Sequence, residues 1–293
     1  MALCYGHPQP IQWRIRCCVD DWGVYQTMQK SLKIVGSAAI AALVLGVGAT
    51  TASAGGLFDR ESAGSIKDAP AAEAGREFKW SVNGGFMTDY VFRGISQSDE
   101  DPSWFAGADA SYGIFYAGVW AAKVDKDFVG ADAEVDLYAG IKPVWGPATF
   151  DFGVLYYGYV GQDDAVTGGL DVDYWEFKAG VSGEILPKLT TGVAYYYSPE
   201  TTLEGGETHT IEGVAAYALP KVWVFDPSVS GTLGYVEFDE TDADYTYWNA
   251  GISFTVEKLT LDFRYWDTDT ELVFDGKDLA DERFVFKATV ALP

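Results

Sequence analysis

At 293 residues, with aromatics at 15% and 33 glycines, the chain has the make-up of turn-rich β-structure and not of a helical bundle. Its formal net charge of -23 excludes a nucleic-acid backbone as partner and favours cations, or surfaces bridged by cations. Length alone allows one large domain or two smaller ones.

Residues 1–27 precede a complete export signal that has its own methionine, and they show neither hydrophobic period nor caps, so they read as an over-extended start that is not native. All three cysteines, Cys4, Cys17 and Cys18, fall there, which leaves a mature chain without disulfides. Residues 28–54 open on Lys30 and Lys33, continue through an apolar run from Ile34 to Val47, and exit through Ala52-Ser53-Ala54. That is a Sec-type signal peptide, because the apolar run falls short of the ~20 residues that a spanning helix needs. Residues 55–78 are small and polar without period, and read as a flexible periplasmic lead-in; the remaining chain, 79–293, is one domain.

From Trp80 onward the period is two. In "WSVNGGFMTDYVFR" the residues Trp80, Val82, Phe86, Tyr90 and Phe92 share one face, against Ser81, Asn83, Asp89 and Arg93 on the other. The same alternation recurs downstream: Val135 and Leu137 oppose Glu134 and Asp136, Trp175 and Phe177 oppose Glu176 and Lys178, and Phe284 and Phe286 oppose Arg283 and Lys287. Counting such runs predicts about twelve strands, near 79–93, 103–112, 115–124, 133–142, 148–160, 172–183, 189–198, 208–218, 227–238, 245–256, 259–268 and 282–291. Their connections alternate between short ones, such as Gly113-Ile114 and Glu257-Lys258, and longer acidic ones, such as "GISQSDEDP" and "DTDTELVFDGKDLADE".

A secreted β-sandwich also alternates, and it is the standing alternative for an exported all-β chain. Three features favour a closed antiparallel up-and-down transmembrane β-barrel in the bacterial outer membrane. The strands reach about ten residues, enough to cross a bilayer at a steep tilt. Their number is even, and short connections alternate with long ones as periplasmic turns and extracellular loops do. Aromatic pairs (Tyr156-Tyr157, Tyr195 to Tyr197, Tyr245 to Trp248, Tyr265-Trp266) sit near strand ends, where head groups would lie.

In such a barrel Asp89, Arg93, Glu134, Asp136, Lys142, Glu176, Lys178, Glu212, Asp262, Arg264, Arg283 and Lys287 have lumen parity and would set the field. Arg93 is expected near the outer rim, either pairing with Asp89 or sorting ions and solutes. The function expected is passive diffusion of small hydrophilic solutes with a preference for cations, because an acidic rim concentrates them. The rival reading is a structural or adhesive barrel with an ion-pair-plugged lumen and functional outer loops, since twelve strands enclose only a modest bore.

The segment "TDYVFRGISQSDEDPSWFAGADASYGIFYAGVWAAKVD", residues 88–125, resembles the opening of the proteobacterial conserved-hypothetical family of TorF-type porins. The resemblance rests on "DYVFRGISQSDEDP", "GADASYG" and "FYAGVWAAKVD", and it implies an outer-membrane barrel that acts as a diffusion channel, with no catalytic residues to carry over. One departure is the end of the chain. Barrels of this kind usually finish on an aromatic residue, whereas this one finishes on Pro293, with Phe286 the nearest aromatic.

No enzymatic constellation emerges. The one histidine beyond the signal, His209, shares parity with Ile211 and reads as a surface residue facing lipid or head groups; Ser198 and Ser228 lack a His or Asp at catalytic spacing. Asp267, Asp269, Glu271 and Asp275 could attract Ca²⁺ or Mg²⁺ but match no calcium loop, so no metal site, catalytic site or cofactor is expected. The partners expected are outer-membrane lipid and lipopolysaccharide, the barrel assembly machinery, and small solutes or cations.

Overall fold

The computed structural model describes residues 77–293. The start, signal and most of the lead-in expected at 1–27, 28–54 and 55–78 lie outside the described residues.

Twelve long strands run in chain order: β1 (Phe78–Met87), β2 (Ser103–Tyr112), β3 (Phe115–Lys123), β4 (Ala133–Ile141), β5 (Ala148–Val160), β6 (Tyr174–Leu186), β7 (Leu189–Ser198), β8 (Thr208–Ala218), β9 (Asp226–Phe238), β10 (Tyr245–Val256), β11 (Leu259–Thr268) and β12 (Arg283–Leu292). Each pairs antiparallel with the next, and β1 pairs with β12 from Val82↔Leu292 to Met87↔Lys287. The sheet therefore closes on itself as an all-β, antiparallel, up-and-down barrel. Closure gives every strand two partners and leaves no edge of unpaired amides.

The alternation that predicts the strands also sets what each face carries. On β6 the outward Trp175 and Phe177 are about half exposed (51% and 49%), while Glu176 between them is 1% exposed. Large apolar rings outside and charges inside is the reverse of a water-soluble sandwich, and it suits a wall that faces hydrocarbon. Outward aromatics gather at both ends. Phe78, Trp80, Tyr112, Phe115 and Tyr217 lie toward the short turns, and Phe86, Trp104, Tyr195, Tyr235 and Phe284 toward the long loops. The aromatic pairs expected to form belts are split by parity: Tyr195 and Trp248 face out, whereas Tyr157, Tyr196, Tyr245 and Tyr247 are buried inside. Neighbouring residues on a strand point to opposite faces, so a run of aromatics cannot serve one belt.

The inward tyrosines lie over glycines. A Cβ on Gly234 would stand 2.2 Å from the Tyr247 ring, and one on Gly118 would stand 2.4 Å from the Tyr138 hydroxyl. The missing side chain lets each ring lie against the wall, so that the Tyr247 hydroxyl reaches Glu212 and the Tyr138 hydroxyl donates to Asp109 at 2.6 Å. Gly234→Val is thus expected to push Tyr247 off Glu212 and destabilise the barrel by about 1–3 kcal/mol, the usual cost of overpacking. Thermal loss of the compact form on cold gel electrophoresis measures it. Gly213→Ala on the outer face, where a Cβ meets only Leu233 O at 3.9 Å, serves as the neutral control.

Candidate functional site

The largest departure from the expected strands lies at the first long loop. The strand predicted over 79–93 ends at Met87, and residues 88–102 turn into the barrel instead of continuing its wall. Two short runs, Val91–Phe92 and Ile95–Ser96, pair as a miniature hairpin. Its tip residues Arg93 (φ 47°) and Gly94 (φ 87°) both have left-handed backbone, as a type I′ turn requires. Glycine adopts that conformation freely, but arginine does so at a cost of about 1–2 kcal/mol, which its surroundings must offset.

They do so through the guanidinium. Arg93 Nη1 lies 2.9 Å from Glu176 Oε2 on β6, and the guanidinium carbon stands 4.7 Å from the Phe92 ring and 5.0 Å from the Tyr196 ring. The pairing of Arg93 with Asp89 expected from parity is therefore corrected: Asp89 takes Arg283 Nη1 at 3.0 Å and accepts from the Ser96 and Ser98 hydroxyls at 2.6 and 3.0 Å. Arg93 does point into the lumen at the loop end, as expected, but its side chain is only 10% exposed, packed among wall residues. Tyr90 and Phe92 leave the apolar outer face on which parity puts them. Tyr90 is fully buried and donates to Glu134 Oε1 at 2.7 Å, and the Phe92 ring is 6.1 Å from Tyr157. Once the chain departs from the wall, residue parity no longer dictates which way a side chain faces.

Further bonds fasten the loop to its neighbours. Ser96 N donates to Leu279 O at 2.9 Å, and Asp125 N to Gln97 O at 2.8 Å. Lys277 Nζ reaches Asp99 Oδ2 at 2.7 Å, and that hydrogen bond holds the exposed ammonium above the usual lysine range. The loop thus touches β4, β5, β6 and β7 on one side and the segment before β12 on the other.

The other residues of the predicted set form local networks on the inner wall. Lys178 Nζ is 2.9 Å from Asp151 Oδ2, with Lys142 Nζ at 3.8 Å. Arg264 grips Asp262 through Nε and Nη2 at 3.1 and 3.0 Å and also donates to Asn249 and Ser230. Glu212 accepts from Tyr247, Lys287 lies 5.9 Å from the Phe105 ring, and Asp136 is buried opposite Tyr157. Sequence reasoning missed two inward carboxylates, Asp109 and Asp151. Both alternate with apolar outward residues (Ala108 and Ala110; Phe150 and Phe152), so the same parity rule applied to β2 and β5 would have found them.

Burial divides the interior in two. At the loop end Tyr90, Trp120, Glu134, Glu176 and Tyr247 are all at most 2% exposed. Toward the turn end of β6, β7, β9 and β10 the inward residues include small hydroxyls, Ser182, Thr190, Ser228, Thr232, Ser253 and Thr255, all partly exposed, whereas β8 turns the buried Val214 and Ala216 inward. His209 is on the outer face at the loop end of β8, as its parity indicates.

Among solved structures the chain is similar to the KdgM porin, with 8% identity over 73% of this chain and 98% of that one at a TM-score of 0.49. It is also similar to the NanC porin (14% identity, 73% and 100% covered, TM-score 0.47) and to an anion-selective porin from Comamonas acidovorans (10%, 73% and 98%, 0.36). The twelve-strand closure described above stands on this chain's own hydrogen-bond pairing. No curated protein matches the sequence. A family model matches residues 71–291, nearly the whole barrel, and the chain belongs to that family, the bacterial proteins of unknown function described as Gcw_chp.

Proposed function

We propose that this protein is an outer-membrane, porin-like barrel that passes small hydrophilic solutes, with a preference for cations, through an opening governed by its seated first loop. The divided interior carries this reading: partly exposed hydroxyls toward the turn end give way, at the loop end, to a packed layer built by Tyr90, Phe92 and Arg93. The apolar outer face with aromatics at both ends supports a position across a bilayer, with turns toward the periplasm and loops outside. The resemblance of residues 88–125 to TorF-type porins points the same way, and passage of this kind needs no catalytic group.

In this proposal the twelve residues with lumen parity, joined by Asp109 and Asp151, set the field along the passage. Eight of these fourteen are carboxylates and six are cations, and the loops add further acids. Under a potassium chloride gradient across a planar bilayer, the reversal potential is expected to favour potassium, and the preference should shrink as salt rises and the Debye length shortens. A reversal potential favouring chloride sinks the selectivity.

The complete burial of Tyr90 and Glu134 favours a second reading, in which the plug is permanent and the outer loops are the working surface. The two differ in one outcome. A barrel that stays silent even after its first loop is shortened is structural.

A further inference from the structure

We propose that the outer rim of the barrel, where β7, β8 and β9 end, binds a first-row divalent transition cation through His209, Asp239 and Glu207. In sequence, His209 has one carboxylate close by, Glu207 two residues before it, and no second imidazole or thiol. The fold supplies another, Asp239. Strands β8 and β9 form a hairpin in which His209 stands opposite Glu237, and the pairing runs on past the strands, with Asp239 N donating to Glu207 O at 3.1 Å. Glu207, His209 and Asp239 are thereby brought to one corner, and one donor atom from each lies within 4.8 Å of the others. His209 Nε2 is 3.5 Å from Asp239 Oδ1. Donors about 2.0–2.2 Å from a tetrahedral cation stand roughly 3.4 Å from each other, so this pair is already spaced to share one. The exposed Glu207 needs only a side-chain rotation to complete the set.

What separates this corner from the other acidic loops is the second layer behind the donors. The Tyr195 hydroxyl bonds His209 Nδ1. The Tyr195 and Tyr197 rings stack against the imidazole, with centroids 6.0 and 5.2 Å away. With Nδ1–H donating to Tyr195, the Nε2 lone pair faces the carboxylates, an arrangement that a bridging cation makes favourable. Partners that orient a ligand in this way typically contribute tenfold or more to metal affinity. A shallow outer-face cleft lined by Phe177, Tyr195, Tyr197, Glu207 and His209 adjoins the donors. One imidazole nitrogen beside two carboxylates suits Zn²⁺ and its neighbours better than Ca²⁺ or Mg²⁺, which prefer oxygen alone.

The test is calorimetric titration of the folded full-length protein in detergent with zinc chloride, in a background with His7→Ala, Cys4→Ser, Cys17→Ser and Cys18→Ser, which leaves His209 the single imidazole and removes the thiols. One saturable site is expected, weakened about tenfold or more by His209→Ala and by Asp239→Asn, and several-fold by Tyr195→Phe. Calcium uptake by the acidic loops should be the same with and without His209. Asp239 is exposed, so its variant retains the fold even if His209→Ala disturbs the girdle. Zinc binding that is absent, or unchanged in both His209→Ala and Asp239→Asn, overturns the site. No current is measured, so the outcome is independent of whether the barrel conducts.

Discussion

Replacing residues 90–99 with a short glycine-serine turn is expected to raise single-channel conductance in planar bilayers by about tenfold, because the packed layer at the loop end goes and the twelve-strand bore is left to its wall. The strands should survive. Met87 and Ser103 already face each other across the β1–β2 pair, so the new turn joins residues that the wall holds together. The removed segment contributes side chains to the interior and no pairing to the main sheet. The same variant should close less often than the unmodified protein. Unchanged conductance in a correctly folded variant refutes the idea that this loop limits passage.

Glu176→Gln is the second large effect. Arg93 and Glu176 are 10% and 2% exposed at their side chains, and removing one member of such a buried pair typically costs about 3–5 kcal/mol, because the remaining charge is left without compensation. A residue fixed in the wall would have to bear that cost, but Arg93 sits on a loop that can return to water. The penalty should therefore appear as unseating of the hairpin, with the barrel intact. Trypsin reads this directly: the bond after Arg93 is protected while the loop is seated and should be cut in Glu176→Gln. Combining Arg93→Met with Glu176→Leu replaces the pair with apolar groups of similar size, which is often neutral, so closure should return. Conductance of Glu176→Gln that matches the unmodified protein, with no cleavage after Arg93, would show that this pair does not hold the loop.

Strand positions were legible in the sequence because closure leaves each strand with one dry and one wet face, and the two-residue period records that division directly. The predicted strand over 103–112 coincides with β2, and that over 245–256 with β10. Inward charges such as Glu176 and Lys178 were legible for the same reason. The first loop was not, because "TDYVFR" keeps the alternation of β1 after its backbone has left the wall; the deviation is encoded in the Arg93-Gly94 turn and in partners more than forty residues away. The cluster around His209 was hidden for a related reason. Glu207 is two residues from His209, but Asp239 joins them only through the long β8–β9 hairpin, and spacing along the chain cannot reveal that.

The loop nearest the start of the barrel is fastened by its last segment. Asp89 meets Arg283 across 194 positions, Asp99 meets Lys277 across 178, and β1 itself joins the wall through β12. Contacts between such distant positions form late, since the intervening chain must first be confined. During biogenesis the gap between first and last strands and the seat of the inner hairpin should consequently be completed in one final event, so that a half-built intermediate leaks through its open seam and the finished molecule admits solutes only through its own bore.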